Sequence, residues 1–264
     1  MLELKNIKKT FHKGTPNEKV ALDIENFKIN DGDFVTVIGG NGAGKSTLLN
    51  AVAGVWPVDG GAVIIDGMDV TGMPEYKRAK YIGRVFQDPM MGTAPNMQIE
   101  ENLALAYRRG KKRGLRWGVT AAEREFYREK LATLGLGLED RLTAKVGLLS
   151  GGQRQALTLL MASLQTPKLL LLDEHTAALD PATAQKVLEL SDRIISENKL
   201  TALMITHNMS DAIRHGNRLI MMDRGRIVLD ISGEEKRRLT KADLLARFAE
   251  KAGVQEETDS VLLS

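Results

Sequence analysis

The chain has 264 residues, 43% of them hydrophobic and 27% charged, with a net charge of +3, which suits one large α/β domain or two small ones. The absence of cysteine excludes disulfides and thiolate metal sites and fits a reducing compartment, and so slight a positive charge leaves no footprint for nucleic acid. No signal peptide is visible at Met1-Leu2-Glu3-Leu4-Lys5, and the longest apolar runs fall far short of the roughly 20 residues that span a bilayer, so a soluble protein is expected.

Alternating apolar and charged residues predict strands over 2–11 and 20–29, separated by the turn Gly14-Thr15-Pro16-Asn17. After Asp31-Gly32-Asp33, the run Phe34-Val35-Thr36-Val37-Ile38 predicts a strand buried on both faces. It leads directly into a glycine-rich loop. Residues 45–53 place Leu48, Leu49 and Val52 on one helical face, and Gly54 stops that helix. Strands are expected at 62–66 and 81–86. From 88 to about 148 the pattern becomes largely helical. Ser150 is a good N-cap for the next helix, which Pro167 ends, and 169–172 is a further buried strand. Asp180-Pro181 opens a helix running to about Asn198. A strand at 201–205 and a short helix closed by Gly216 follow. The segments 218–222 and 227–230 form a hairpin around Asp223-Arg224-Gly225-Arg226. A last helix starts near Thr240 and precedes a polar tail. Alternating strands and helices argue for an α/β fold with a mostly parallel sheet covered on both faces, an antiparallel β flank at the start and a helical insertion at about 88–165.

Three segments carry chemistry. Gly39-Gly40-Asn41-Gly42-Ala43-Gly44-Lys45-Ser46 is a full match to the phosphate-loop pattern, with the required strand before it and helix after it. The apolar run 169–172 ends in Asp173-Glu174, two adjacent carboxylates able to hold a metal and a water. Leu149-Ser150-Gly151-Gly152-Gln153 is a turn whose hydroxyl and N–H groups suit a phosphate. In this order the three resemble the nucleotide-binding subunit of an ABC (ATP-binding cassette) ATPase, over about residues 1–230.

That resemblance implies a P-loop NTPase (RecA-like) core with an antiparallel β-subdomain and an inserted α-helical subdomain, an ATPase domain over 1–232 and a short helical tail over 233–264. It implies ATP and Mg²⁺ as ligands. Gly39, Gly40, Asn41, Gly42, Ala43 and Gly44 would wrap the phosphates. Lys45 would pair with the β- and γ-phosphates, Ser46 would ligate Mg²⁺ and Thr47 would reach the α-phosphate. Asp173 and Gln87 would complete the metal site, Glu174 would act as general base, and His207 would contact the γ-phosphate and hold the water. Phe11 stands where the family often stacks an aromatic ring on adenine. Ser150, Gly151, Gly152 and Gln153 would bind the γ-phosphate held by a second subunit, and Asp180 lies in the loop that crosses between subunits. The partners implied are a second copy of the chain, an integral-membrane permease and, indirectly, an extracytoplasmic substrate-binding protein. No nucleic acid is expected, and the location is cytoplasmic, on the inner face of the membrane.

Other features read differently. His175 stands where the family usually has proline, and is taken as a subfamily feature. His215 suits a helix C-terminus, and His12 lies in a loop. The run Arg108-Arg109-Gly110-Lys111-Lys112-Arg113-Gly114-Leu115-Arg116-Trp117 reads as a solvated loop or as a contact for anionic headgroups; a third reading, nucleic-acid binding, has no basic stripe elsewhere to support it. The segments 87–93 and 173–181 together with this run look like the ATPases of tryptophan/tyrosine-type importers, which implies import of a small solute such as an amino acid. The alternative is a soluble ABC-type ATP switch acting on nucleic acid or ribosomes. Such proteins usually carry two cassettes or a long coiled-coil insertion, and this chain has neither.

Overall fold

A computed structural model describes residues 1–111 and 118–252, the last two as backbone. Its contacts divide the chain into two compact units, Met1–Arg78 together with the segment from Leu200 onward, and Ala79–Lys199.

In the first unit, β1 (Leu2–Phe11) and β2 (Lys19–Ile29) pair antiparallel. Strand β4 (Gly60–Ile65) joins the free edge of β1, and the two-residue β5 (Met68–Asp69) follows it. This is the expected antiparallel flank. The buried β3 (Phe34–Ile38) lies parallel to β8 (Ala202–Ile205) on one side and to β9 (Arg218–Asp223) on the other. β9 turns at Arg224 and Gly225, both at positive φ, into the antiparallel β10 (Arg226–Ser232). Helix α1 (Lys45–Ala53) starts after the glycine-rich loop and ends at Gly54, whose φ of 83° provides the left-handed cap. Short helices α2 (Glu75–Arg78), α7 (Met209–Arg214) and α8 (Gly233–Arg237) complete this unit with α9 (Lys241–Ala252). Leu244 and Phe248 of α9 are buried in one apolar cluster with Ile38, Leu219, Met221 and Ile231, so this helix packs on the strands that carry the loop.

In the second unit, β6 (Ile82–Val85) and β7 (Leu169–Asp173) pair in parallel. Helix α5 (Gly151–Ser163) packs against β6, α3 (Ile99–Tyr107), α4 (Ala121–Ala132) and α6 (Pro181–Glu197). The stretch from 88 to 148 is less helical than its composition predicts. Pro89, Gly92 and Pro95 break the first part, and Gly135 and Gly137 adopt positive φ in the second. The non-helical loop is pinned by Asn102, which accepts from the Ala94 N–H at 2.8 Å and donates to the carbonyls of Ala94 and Gln98. Pro167 does not end α5. The helix stops at Ser163, and Thr166 turns the chain at φ 47°. Among the described residues no helix is long and apolar enough to cross a membrane.

Candidate nucleotide site

In the first unit the loop between β3 and α1 is built for an anion. Gly39, Gly42 and Gly44 have φ of 151°, 79° and 103°. Side chains are also excluded by space: a Cβ on Gly39 would stand 2.3 Å from the Met222 carbonyl oxygen, and one on Gly44 2.6 Å from that of Ala21. The loop is braced where the Gly225 N–H donates to the Ala43 carbonyl at 2.9 Å. Lys45 is buried, and its Nζ donates to the carbonyls of Gly39 and Gly40 at 2.7 and 3.1 Å, so the ammonium is held inside the loop. The N-terminus of α1 has no side-chain cap and no acidic residue in its first turn. Its backbone N–H groups and dipole are therefore left to an outside anion. Ser46 is exposed and Thr47 half-buried.

Phe11 comes to this loop through the ladder. It lies opposite Lys19, whose Nζ sits 2.9 Å from where a Cβ on Gly42 would stand. The Phe11 ring meets Trp56 edge-to-face at 5.2 Å. Trp56 is an aromatic neighbour that no sequence motif indicated. His207 is exposed just beyond β8, where Asn208 caps α7.

The second unit holds the other residues. Gln87 is exposed two residues past β6. Asp173 ends β7 half-buried, and Glu174 follows at φ 45°, 9% exposed. A glutamate in left-handed backbone is uncommon and marks a side chain aimed by the fold rather than by its own preference. Next to it His175 is 2% exposed, with Nε2 2.9 Å from Ser191 Oγ on α6. The Ser191 hydroxyl donates to the Val187 carbonyl, so His175 is the donor in that pair. It serves to anchor the segment after Glu174.

Ser150 is the N-cap of α5. Its Oγ accepts from the Gln153 N–H at 3.2 Å, and its own N–H donates to Gln153 Oε1 at 3.3 Å. Gly152 is small for a packing reason: a Cβ there would meet Thr183 Cγ2 at 2.2 Å. Asp180 caps α6 by accepting from the Thr183 N–H at 3.1 Å, and hydrogen bonds from Thr183 hold its carboxyl below the ordinary aspartate value. Gln155, wholly buried on α5, donates to the Phe86 carbonyl at 3.1 Å, fixing the residue before Gln87. Arg84 Nη2 donates to Asp173 Oδ2 at 3.2 Å. Neither Gln155 nor Arg84 was indicated by the motifs.

Three cations of the basic run have partners within the second unit. Arg108 pairs with Glu123 at 2.7 Å, Arg109 donates to the Ala162 carbonyl at the end of α5, and Lys111 lies over the Tyr107 ring. Burial pushes the Arg109 pKa down. Residues 112–117 of the run, and 253–264 of the tail, lie outside the described residues.

Residues 22–177 match the model of the ABC transporter family. The chain is 46% identical over 257 residues to a tyrosine transport ATP-binding protein of Clostridioides difficile, covering 94% of this chain and 98% of that protein. The chain belongs to the ABC transporter family. It is 33% identical to the spermidine/putrescine import ATP-binding protein PotA of Haemophilus influenzae, across 98% of this chain and 65% of that protein. A solved dimer of the ATP-binding cassette MJ0796 bound to ADP and Pi superposes with a TM-score of 0.74 and 30% identity, over 88% of this chain and 98% of that one. The P-loop fold of an ABC cassette, ATP binding and ATP hydrolysis follow for this chain.

Proposed function

We propose that this chain powers import of a small solute, an amino acid such as tyrosine, through a separate membrane permease, working from the inner face of the membrane. The observation that carries this reading is its 46% identity, over almost the full length of both chains, to a protein named for tyrosine transport. An exposed apolar patch on the second unit supports a docking partner. Met90, Met91 and Leu148 are 46%, 68% and 71% exposed, and Arg154 ties Met90 to the carbonyls of Val146 and Gly147.

Two copies would enclose two ATP molecules, each held by the loop of one chain and by Ser150, Gly151 and Gly152 of the other. Lys45 and the N–H groups of the loop offset the β- and γ-phosphate charge. Glu174 accepts the proton of the attacking water, and His207 holds that water and the γ-phosphate in register. Ser46, Gln87 and Asp173 are an all-oxygen donor set of the kind a hard divalent cation takes, and Mg²⁺ bound there would neutralise phosphate charge.

Glu174→Gln tests the reading. It leaves the loop intact and removes the base, so turnover should fall by about 10²–10⁴-fold, while ATP with Mg²⁺ should lock two chains together on a sizing column. A variant that remains monomeric would refute the shared site. Deletion of the gene should abolish uptake of labelled tyrosine, and unchanged uptake of every aromatic amino acid would refute the cargo class.

A further inference from the structure

We propose that Arg84 governs metal affinity at Asp173: it holds the carboxylate in a nearly neutral pair, so that the cation is taken up with nucleotide and not before. The inference rests on the nucleotide reading above. A charged residue is out of place in the middle of Ile82-Gly83-Arg84-Val85-Phe86, because a partly buried cation needs a partner. The parallel register of β6 and β7 sets Arg84 beside Leu171, two residues before Asp173. The guanidinium reaches Asp173 Oδ2, with the two side chains only 13% and 16% exposed.

The pair is fixed from behind. The guanidinium carbon lies 4.6 Å from the centre of the Phe86 ring, and the Phe86 carbonyl is held by the buried Gln155 of α5. To leave Asp173, Arg84 would have to give up that ring as well.

Two consequences follow. With Oδ2 hydrogen-bonded to a guanidinium, Oδ1 is the more available oxygen of Asp173, which favours one-oxygen contact or contact through a metal-bound water over chelation. And a divalent ion arriving without nucleotide meets a pair close to neutral rather than a full negative charge. The phosphates supply the missing attraction. The bland alternative is that Arg84 is a structural partner for Asp173 and has no bearing on the metal.

Mn²⁺, followed by electron paramagnetic resonance, separates the two. Removing a unit charge about 6 Å from a divalent ion, even screened as in bulk water, changes affinity by about tenfold. Arg84→Met should therefore tighten Mn²⁺ binding by about tenfold or more in nucleotide-free and ADP-bound protein alike. Arg84→Lys, which keeps the charge, should stay near wild type. Arg84→Met with Asp173→Asn should lose the gain. Should Arg84→Met not fold, Arg84→Gln keeps a donor without the charge and must show the same tightening. Unchanged or weaker Mn²⁺ binding in the folded neutral variants overturns the proposal, whatever their thermal stability. Fluorescent ADP binding by the wild type is measured alongside. A wild type that binds no ADP refutes the nucleotide reading itself, whereas ADP binding with unaltered Mn²⁺ affinity in the variants refutes only the role of Arg84.

Discussion

Gly152→Ala should destabilise the fold by roughly 1–2 kcal/mol, while the neighbouring Gly151→Ala should leave stability unchanged or slightly raised. Both glycines open α5, and neither has a positive φ, so alanine gains about 0.5–1 kcal/mol of helix propensity at each. They differ in what the new methyl meets. At 151 it stands 3.3 Å from Leu179 Cδ2, the end of a side chain that can give. At 152 it stands 2.2 Å from Thr183 Cγ2. Thr183 is β-branched, and its side chain is hydrogen-bonded to Asp180, so turning its methyl away breaks that side-chain hydrogen bond. Overpacking of this kind costs about 1–3 kcal/mol, which exceeds the helix gain. Thr183→Ser removes the methyl and keeps the hydroxyl. The double variant should thus fall within about 0.5 kcal/mol of Thr183→Ser alone, a coupling expected of residues in contact. Urea unfolding at neutral pH reads the four variants against the wild type. Equal stability of the two alanine variants, or no recovery in the double variant, would refute the argument that packing against α6 requires glycine at 152.

Lys45→Ala removes a charge-assisted phosphate contact worth about 1.5–3 kcal/mol, so ATP affinity should drop about 10- to 100-fold in a fluorescent-nucleotide titration; wild-type affinity would mean that the loop is not the site. Tyr127→Phe should be neutral or stabilising in thermal melts, because the Tyr127 hydroxyl is buried without a hydrogen-bond partner. Burial raises that phenol to about 12, so the unfolded chain ionises first, and stability should decline as pH rises from about 10, the free tyrosine value, toward 12; Phe at 127 should remove that alkaline loss, and an unchanged alkaline slope would count against it. For Asp180 the sign is opposite: its carboxyl titrates below the ordinary aspartate value, so the stability it adds is present at neutral pH and fades as pH falls through its folded-state pKa. Asp180→Asn should keep the cap and lose that acid dependence, and an identical acid profile for both proteins would show that another group sets it.

The strand–loop–helix from Phe34 to Ala53 was legible almost to the residue. Its signals are local: an unbroken apolar run, glycines that must adopt positive φ, and a glycine that caps the helix. The segment from 88 to 148 was not. Its composition favours helix, but a loop there is stabilised by Asn102 reaching back eight residues to Ala94 and by the Gly147 N–H donating to the Pro95 carbonyl at 2.8 Å. Such ties are invisible to periodicity, since they depend on where two separated segments meet.

The same distinction runs through the site. Residues expected to touch nucleotide or metal announce themselves by type and spacing, because the phosphates and the cation impose the same geometry wherever they are bound. Arg84, Gln155, Thr183 and Ser191 act only through other residues: Asp173, Phe86, Gly152 and His175 in turn. No ligand fixes their spacing, so no motif contains them. One trace was nonetheless present. Arg84 interrupts one apolar strand and Asp173 ends another, and two opposite charges at the margins of buried strands are each costly to bury alone. Their pairing is the least costly arrangement once β6 and β7 lie side by side, and it places a permanent cation at the carboxylate where a second cation is expected to bind.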